Sequence, residues 1–330
     1  MKKNVFLIII LLIFIVSGSI FSQNVQELRV GSFLSGYLNP GQEVSYRVSA
    51  GGLGILVVET KSELDTYLEV YDSQGNLLIE NDDGDDLNAK IIILSGADKT
   101  FLYKLRGYDT NVSGPYRIYA EIFPMTNHIA LRANSSLSGY MEIDRSHLYK
   151  IQPDRDGVLT VTTSGDDVDT VMQAYDNNYN FIIENDDFDE IEINSKIDIF
   201  VKAGENYYFT VRGFSSEDTG YYHVSASLAA APLLIFDSYL SGYLESYGKS
   251  WFCIQAERNG HLVVEISSSF DTLMEAYDEH FTLIAEDDDS GNDLNALIEI
   301  NARAGMTYYF LVTGYSGEDT GSFRITARNK

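Results

Sequence analysis

The amino-acid sequence predicts an all-β protein made of three tandem β-sandwich domains of jelly-roll type that follow an N-terminal signal peptide. Three observations lead to this prediction. Short stretches of alternating apolar and polar residues are separated by turn residues along the chain. No segment after the leader shows a sustained apolar period of 3.6 residues, the pattern of an amphipathic helix. One ordered set of short motifs also occurs three times, which indicates a tandem repeat.

The N-terminal leader has the residue order of a secretory signal peptide. Lys2 and Lys3 precede an apolar run over residues 5–16, and small residues follow it. The run is short for a membrane-spanning helix, and an uncleaved anchor is the alternative. We therefore expect residues 1–22 to be a signal peptide, with no membrane insertion after its cleavage. The protein is then exported, and it is periplasmic, attached to the cell surface or secreted.

The repeated motifs divide the rest of the chain into three domains. Ser-Gly-Tyr recurs at intervals of 103 residues, and each copy is followed by Asp-Thr, Tyr-Asp, an acidic cluster, a Gly-aromatic pair and a closing Gly with a nearby aromatic residue. Breaks in composition between the copies place the domains at residues 24–123, 124–228 and 229–330, which we call repeats 1, 2 and 3. A length of about 100 residues is enough for each repeat to bury a core of its own.

Within repeat 1 the alternation of apolar and polar residues predicts eight strands. They lie near residues 32–38, 43–49, 54–60, 66–71, 77–80, 89–94, 100–106 and 116–122. Gly, Pro, Asn and Asp, which tolerate tight turns, stand between several of them, as in Asn39-Pro40-Gly41. Eight strands without a helix in a domain of this size predict a β-sandwich.

Composition limits the classes of partner. The chain has 49 Asp or Glu and 23 Lys or Arg, a formal net charge of −26. Such a charge repels nucleic acid and anionic membrane surfaces, so neither is expected as a partner. Cys253 is the single cysteine, which excludes an internal disulfide framework and a cysteine-rich metal site.

The ordered motifs resemble the bacterial pre-peptidase C-terminal (PPC) domain, which is related to the collagen-binding domains of secreted collagenases. The residues that carry the resemblance are Asp-Thr-x-x-x-x-Tyr-Asp, the Asn-Asp-Asp loop, Arg-Gly-Tyr and Thr-Gly-x-Tyr. The resemblance implies β-sandwich modules of exported proteins, some of which bind calcium. Repeat 3 departs from the pattern, because Thr313, Phe323 and Asp287 stand where repeats 1 and 2 have Arg, Tyr and Asn.

The acidic clusters are the candidate metal sites. Calcium prefers six to eight oxygen ligands, and alternate residues of a tight loop can converge on one ion. The Asp of each Asp-Thr pair can add a ligand from a neighbouring loop. The candidate ligands are Asp65, Asn81, Asp83 and Asp85 in repeat 1, Asp169, Asn185, Asp187 and Asp189 in repeat 2, and Asp271, Asp287, Asp289 and Asp293 in repeat 3. Crowded carboxylates repel one another unless a cation compensates, which favours Ca²⁺ as the cofactor. The alternative is that these are solvated acidic turns that protect strand edges.

The sequence favours a binding module over an enzyme. It contains no Gly-x-Ser-x-Gly elbow, no His-Glu-x-x-His and no phosphate-binding loop, and no histidine recurs between repeats. Linked weak sites gain through effective concentration, so a triplication fits avidity. The first hypothesis is an exported, non-catalytic array that binds an extracellular or envelope polymer, either protein or glycan. A structural spacer of the envelope without a dedicated ligand is the alternative, and a glycosidase is a remote third. The oligomeric state does not follow from the sequence.

Overall fold

The structure is a computed structural model that describes residues 25–330, apart from residues 85–86, 166–167, 188–192, 216, 247 and 280–281. The predicted signal peptide, residues 1–22, lies outside the described residues. The described part of the chain contains strands and turns but no helix, and its strands form several separate sheets. The predicted all-β class with several β-sandwiches is therefore confirmed. None of the described segments is a helix that could cross a membrane.

Repeat 1 contains nine strands in two sheets. They are β1 (Gln26–Glu27), β2 (Ser32–Leu38), β3 (Val44–Ser49), β4 (Gly54–Ser62), β5 (Thr66–Tyr71), β6 (Leu77–Asn81), β7 (Lys90–Ser95), β8 (Thr100–Gly107) and β9 (Gly114–Pro124). One sheet has the order β1-β3-β8-β5-β6, and the other has the order β2-β9-β4-β7. The eight predicted strands agree with β2–β9 to within two residues at each end. Strand β1 was missed because two residues are too few to show a period.

Repeat 2 has the same two strand orders. Its strands are β10 (Ile129–Ala130), β11 (Ser135–Met141), β12 (Ser146–Ile151), β13 (Gly157–Ser164), β14 (Thr170–Tyr175), β15 (Phe181–Asn185), β16 (Lys196–Val201), β17 (Tyr207–Gly213) and β18 (Gly220–Ala229). The sheets are β10-β12-β17-β14-β15 and β11-β18-β13-β16. As β1 does with β3, the short strand β10 pairs in parallel with β12 at the sheet edge.

Repeat 3 contains eight strands. They are β19 (Tyr239–Leu244), β20 (Ser250–Gln255), β21 (Gly260–Ser268), β22 (Thr272–Tyr277), β23 (Leu283–Asp287), β24 (Leu297–Ala302), β25 (Thr307–Gly314) and β26 (Gly321–Asn329). The sheets are β20-β25-β22-β23 and β19-β26-β21-β24. A single parallel bridge between Leu233 and Cys253 takes the place of the short edge strand of the other repeats.

The chain divides into two compact units. The first comprises the described residues up to Ser49, Val57–Ile91 and Lys99–Glu121, and the second comprises Ala50–Leu56, Ile92–Asp98 and Ile122–Lys330. Repeats 2 and 3 thus belong to the same unit. The boundaries of the three domains stay a prediction.

The Ser-Gly-Tyr motif recurs because its glycine lies under a buried aromatic ring. A Cβ atom on Gly36 would lie 2.4 Å from the Tyr116 hydroxyl oxygen, and one on Gly139 would lie 2.6 Å from the Tyr222 ring. In repeat 3 the corresponding distance from Gly242 to the Phe323 ring is 2.5 Å. These rings are at most 3% exposed. The first motif of each repeat is therefore coupled to the last one through close packing, since only glycine leaves room for the ring.

The Tyr-Asp motif marks a β-bulge and the turn that follows it. The register of each hairpin shifts just before the tyrosine, at Tyr71, Tyr175 and Tyr277. The next residue, an aspartate, closes the turn with its side chain. Asp72 Oδ1 accepts the backbone N–H groups of Gln74 and Asn76, both at 2.9 Å. Aspartate recurs here because its carboxylate satisfies donors that a tight turn leaves unpaired.

Candidate functional site

The Asp-Thr motif lies where two loops meet the start of a central strand. The carbonyl oxygens of Asp65, Asp169 and Asp271 accept the N–H of the aromatic residue in the Gly-aromatic pair, at 3.1, 3.0 and 3.2 Å. The threonine N–H donates to the loop on the other side, as from Thr66 to the Leu87 carbonyl at 3.0 Å. Each aspartate thus sits between two loops that are distant in sequence, because the backbone on both sides of it is held.

The threonine of this motif has a structural role. Thr66, Thr170 and Thr272 are fully buried. The Oγ1 atom accepts the N–H of Ala89 at 3.0 Å in repeat 1, and of Ala296 at 3.0 Å in repeat 3. In repeat 2 the donor is the N–H of Ser195 at 3.2 Å. The threonine therefore joins the start of the strand to the end of the acidic loop, and this fixes where the neighbouring aspartate lies.

In repeat 2, Asp169 is the centre of a group of four carboxylates. Burial raises its pKa to about 6, and the charges of Asp218, Asp187 and Asp186 contribute to this rise. Its Oδ1 atom is buried and has no hydrogen-bond partner among the described residues. A carboxylate in such a place is destabilised when it is ionised, and a cation would relieve that cost.

The other two repeats have the same arrangement around the Asp-Thr aspartate. Burial raises the pKa of Asp65, and the next largest causes are the charges of Asp83, Asp82 and Asp109. Burial likewise raises the pKa of Asp271, as do the charges of Asp319, Asp288 and Asp289. The backbone N–H of Thr272 donates to Asp271 and lowers its pKa in part. In every repeat, three further carboxylates thus lie close enough to raise the pKa of the Asp-Thr aspartate.

The first residue of each acidic loop closes that loop. Asn81 Oδ1 accepts the Lys90 N–H at 2.9 Å, and Asn185 Oδ1 accepts the Lys196 N–H at 2.7 Å. Asp287 Oδ2 accepts the Leu297 N–H, also at 2.7 Å. Because these oxygens already have backbone donors, the structure gives these three residues a role in loop geometry. That they bind a metal stays a prediction.

The remaining predicted ligands differ in where they lie. Asp83, Asp187 and Asp289 are among the carboxylates that raise the pKa of the Asp-Thr aspartate. Asp85 and Asp189 lie outside the described residues. Asp293 is exposed, has a φ of +59°, and is not among the residues that affect Asp271.

Six aspartates of this group were not predicted from the sequence. Asp82, Asp186 and Asp288 precede predicted ligands directly, and a rule based on alternate residues passes over them. Asp109, Asp218 and Asp319 come from the loop after the Gly-aromatic pair. In repeats 2 and 3 this loop has the pattern Ser-x-x-Asp-Thr-Gly, and Asp218 Oδ2 accepts both the N–H and the hydroxyl of Ser215 at 2.7 Å. That pattern could have marked the third loop.

The carboxylates lie close enough to affect one another but do not converge on one coordination point. Among the described residues, no three His, Cys, Asp or Glu side chains are placed to hold a single metal ion. The donor set is nevertheless made of hard oxygens, which suit calcium, and Asp169 Oδ1 lacks a partner in the described part of the chain. The residues in repeat 2 that fit a cation best are Asp169, Asp186, Asp187 and Asp218.

Exposed aromatic side chains recur at two equivalent positions. The tyrosines of Ser-Gly-Tyr are 58%, 50% and 58% exposed in repeats 1, 2 and 3. The aromatic residues of the Gly-aromatic pairs are 52%, 59% and 62% exposed. These residues are Tyr37, Tyr140 and Tyr243 in the first set, and Tyr108, Phe214 and Tyr315 in the second. An array that exposes the same large rings in each repeat has surfaces suited to contact.

The tyrosines of the Tyr-Asp motif behave differently in one repeat. In repeats 1 and 3 the hydroxyl donates to a glutamate two residues earlier, from Tyr71 to Glu69 at 2.5 Å and from Tyr277 to Glu275. In repeat 2 the strand β14 is buried on both faces. There the Tyr175 hydroxyl donates to Gln173, also two residues earlier, and in addition it accepts the Leu94 N–H at 2.8 Å, within the second compact unit. This tyrosine is therefore used for packing.

Comparisons with known proteins give likeness in structure only. No family model matches the chain. No curated protein matches it either. The PPC domain of collagenase from Bacillus anthracis is similar over 30% of this chain and 96% of its own, at 12% identity and a TM-score of 0.27. The Yersinia pseudotuberculosis-derived mitogen covers 28% of this chain, and 85% of its own, at 14% identity and a TM-score of 0.23. PliG from Aeromonas hydrophila, a periplasmic inhibitor of g-type lysozyme, is similar over 29% of this chain and 97% of its own, at 12% identity and a TM-score of 0.23. Likeness at this level carries no argument about function.

Proposed function

We propose that this chain is an exported, non-catalytic array of PPC-like β-sandwich modules that binds a polymeric or cell-surface ligand and is stabilised by calcium. The observation that supports binding most directly is the exposure of Tyr37, Tyr140 and Tyr243, each at least half exposed at the same place in its repeat. A spacer has no need of large exposed rings, which cost solubility. Three equivalent binding surfaces on one chain would bind a polymer more tightly together than each would alone.

The calcium part of the proposal rests on the four-carboxylate groups. Asp169 has a pKa of about 6, so the group is destabilised at neutral pH when it is ionised. A cation that binds only the folded chain would remove this cost and add stability. Asp65 and Asp271 have raised pKa values for the same reason, which extends the proposal to all three repeats. The calcium ion would neutralise the carboxylates and link the loops, and it would take no part in a reaction.

Membership in the PPC family and export are further parts of the proposal. The first rests on the ordered motifs, two of which have structural reasons: the threonine of Asp-Thr joins two loops, and the aspartate of Tyr-Asp closes a turn. Export rests on the basic, apolar and small-residue order of residues 1–22. Absence of catalysis is supported by the lack of catalytic sequence motifs.

The test of ligand binding uses the full chain and a panel of insoluble polymers: collagen, chitin, cellulose and peptidoglycan. We expect retention on at least one of them, and a loss of about tenfold in affinity when the tyrosines are removed together in Y37A/Y140A/Y243A. The matched control is L77A/I182A/L283A, which removes exposed apolar side chains from a different strand of each repeat. No retention of the wild type on any polymer would favour the spacer.

Calcium is tested separately by thermal unfolding in EDTA, in millimolar Ca²⁺ and in millimolar Mg²⁺. A rise in the midpoint of several degrees that is specific for Ca²⁺ is expected. Equal midpoints in the three conditions would contradict the calcium proposal and leave the ligand test unaffected.

A further inference from the structure

Two edge strands carry the same exposed pattern of aromatic, serine and tyrosine on their outer face. In β2 these residues are Phe33, Ser35 and Tyr37, and in β19 they are Tyr239, Ser241 and Tyr243. The first aromatic ring is 50% exposed in β2 and 56% exposed in β19, and each tyrosine is 58% exposed. We call each set, together with the arginine described next, an aromatic-arginine strip.

An arginine lies opposite the serine of each strip on the neighbouring strand. Ser35 pairs with Arg117 in the register of β2 and β9, and Ser241 pairs with Arg324 in the register of β19 and β26. The guanidinium carbon of Arg117 lies 5.4 Å from the centre of the Phe33 ring, and that of Arg324 lies 4.9 Å from the Tyr239 ring. Contact with the ring holds the cation in place on the sheet surface.

Neither of these guanidinium groups forms an ion pair with a described carboxylate. Several other cations of the described chain do form ion pairs. On the same face of β26, for example, Arg328 is paired with Glu265 at 2.6 Å. Arg117 and Arg324 therefore keep their donors available for an anionic group from outside the chain.

Repeat 2 has no such strip among its described residues. A serine, Ser136, stands where the other repeats have the first aromatic ring, and His223 replaces the arginine. The His223 Nδ1 atom is hydrogen-bonded to Ser138 Oγ at 3.0 Å. Repeat 2 thus lacks a permanent cation at this place, and it provides an internal comparison.

We propose that the aromatic-arginine strips of repeats 1 and 3 bind a carboxylated polysaccharide, a proposal that rests on the binding function proposed above. The two rings of a strip are four residues apart, which is about 13 Å along a strand, and the arginine lies between them. Sugar rings pack their apolar faces on the aromatic rings, and a sugar carboxylate accepts two N–H groups from the guanidinium. The cation on an acidic chain selects an anionic partner by charge complementarity.

A carboxylated polysaccharide fits these charges better than nucleic acid does. Duplex DNA carries one charge per about 1.7 Å, and a chain with a net charge of −26 repels such a dense polyanion. A polymer with one carboxylate for every two sugars meets far less repulsion. At physiological salt, charges separated by more than about 8 Å are largely screened, so the local arginine decides the contact.

The experiment measures affinity of the full chain for immobilised hyaluronan, which carries one carboxylate per disaccharide, for neutral dextran and for a single-stranded oligonucleotide. We expect binding to hyaluronan, a loss of at least tenfold in R117A/R324A, and a smaller loss in R117K/R324K, since lysine keeps the charge but not the two parallel donors. The control R29A/R303A removes the same charge from exposed sites in the same two repeats and should change affinity by less than twofold. Circular dichroism checks that each variant folds.

Several outcomes would overturn the proposal. These are no binding to hyaluronan, an equal loss in R117A/R324A and R29A/R303A, or binding to the oligonucleotide as strong as to hyaluronan. Binding of the wild type to neutral dextran as strong as to hyaluronan would also overturn it, but the broader binding function would then stand. Retention on none of the polymers used in either experiment would contradict both proposals.

Discussion

Repeats 2 and 3 build the same core contact with different chemistry. In repeat 2 the Tyr149 and Tyr222 hydroxyls are 2.6 Å apart, and the Tyr222 hydroxyl also lies 2.5 Å from His147 Nδ1. In repeat 3 the equivalent pair is Phe252 and Phe323, whose rings meet edge to face with centroids 5.9 Å apart. The glycine beneath the second ring is present in both repeats.

This difference separates what the fold needs from what one repeat has added. The ring and the glycine are needed, because both repeats keep them and each second ring is at most 2% exposed. The hydroxyl is optional, provided that each buried one has a partner, because the Tyr149 and Tyr222 hydroxyls bond to each other and the phenylalanine rings of repeat 3 need no such bond. The Tyr222 hydroxyl also contacts His147, so the stability of repeat 2 can depend on the protonation of that histidine.

The largest effect is expected from adding a methyl group under the shared ring. G139A and G242A would each place a Cβ atom within 2.6 Å of a buried ring that cannot move aside. We expect each change to destabilise its repeat by about 1–3 kcal/mol. Urea denaturation measures it. G52A is the control, because nothing lies within 4 Å of its Cβ position and its φ is ordinary. Similar results for all three variants would refute the packing explanation.

An effect of similar size is expected from mismatching the hydroxyls. Y222F leaves the buried Tyr149 hydroxyl without its tyrosine partner, and F323Y buries a hydroxyl against Phe252. Each should cost about 1–3 kcal/mol, the penalty of an unsatisfied buried polar group. The double variants Y149F/Y222F and F252Y/F323Y should be more stable than the sum of their single changes predicts. Additive free energies of unfolding in both cycles would show that the hydroxyls act independently.

The sequence predicted the strands well and the role of the motifs poorly, for one physical reason. Alternation of apolar residues is local, so it located β2–β9 to within two residues. The contact between Gly36 and Tyr116 joins residues that are 80 positions apart, and no local pattern shows it. The Ser-Gly-Tyr motif could be found in the sequence, but the packing contact that explains it could not.

The candidate metal site shows the same limit. Loop composition pointed to Asp83, Asp187 and Asp289, which the structure places beside the Asp-Thr aspartate. Loop composition alone could not show that Asn81 and Asn185 accept backbone N–H groups, because their donors come from the following strand. It also could not bring in Asp218 and Asp319, which come from a loop after a later strand.

Charge removal at the acidic group should distinguish the repeats by a few degrees. Asp169 has a folded-state pKa of about 6, above its unfolded value, so its contribution to stability is present at low pH and is lost as pH rises through about 6. In EDTA at pH 7.5 we therefore expect D169N to unfold at a higher temperature than the wild type. D271N should show a smaller gain, because the Thr272 N–H already stabilises the charged form of Asp271.

The same variant also tests whether Asp169 contributes to calcium binding. If the four-carboxylate group holds the ion, D169N should also lose most of the rise in midpoint that calcium gives to repeat 2. A lower midpoint for D169N in EDTA would mean that the Asp169 carboxylate stabilises the folded chain, which contradicts the account of its raised pKa.

The smallest expected effect is a pH response confined to repeat 2. Burial lowers the pKa of His147, and the charge of Glu142 raises it in part. Its folded-state pKa lies below the unfolded value of about 6.5, so the neutral ring stabilises the fold above that pH, and this contribution is lost as pH falls toward the folded pKa. H147Q keeps an acceptor near the Tyr222 hydroxyl but does not titrate. Between pH 7 and 6, we expect the wild type to lose stability relative to H147Q, as measured by urea denaturation at each pH.

Repeat 3 has Ser250 near the corresponding position, so its unfolding should follow the same course in both proteins. Parallel pH profiles for the wild type and H147Q would show that the tyrosine pair of repeat 2, like the phenylalanine pair of repeat 3, does not couple packing to pH.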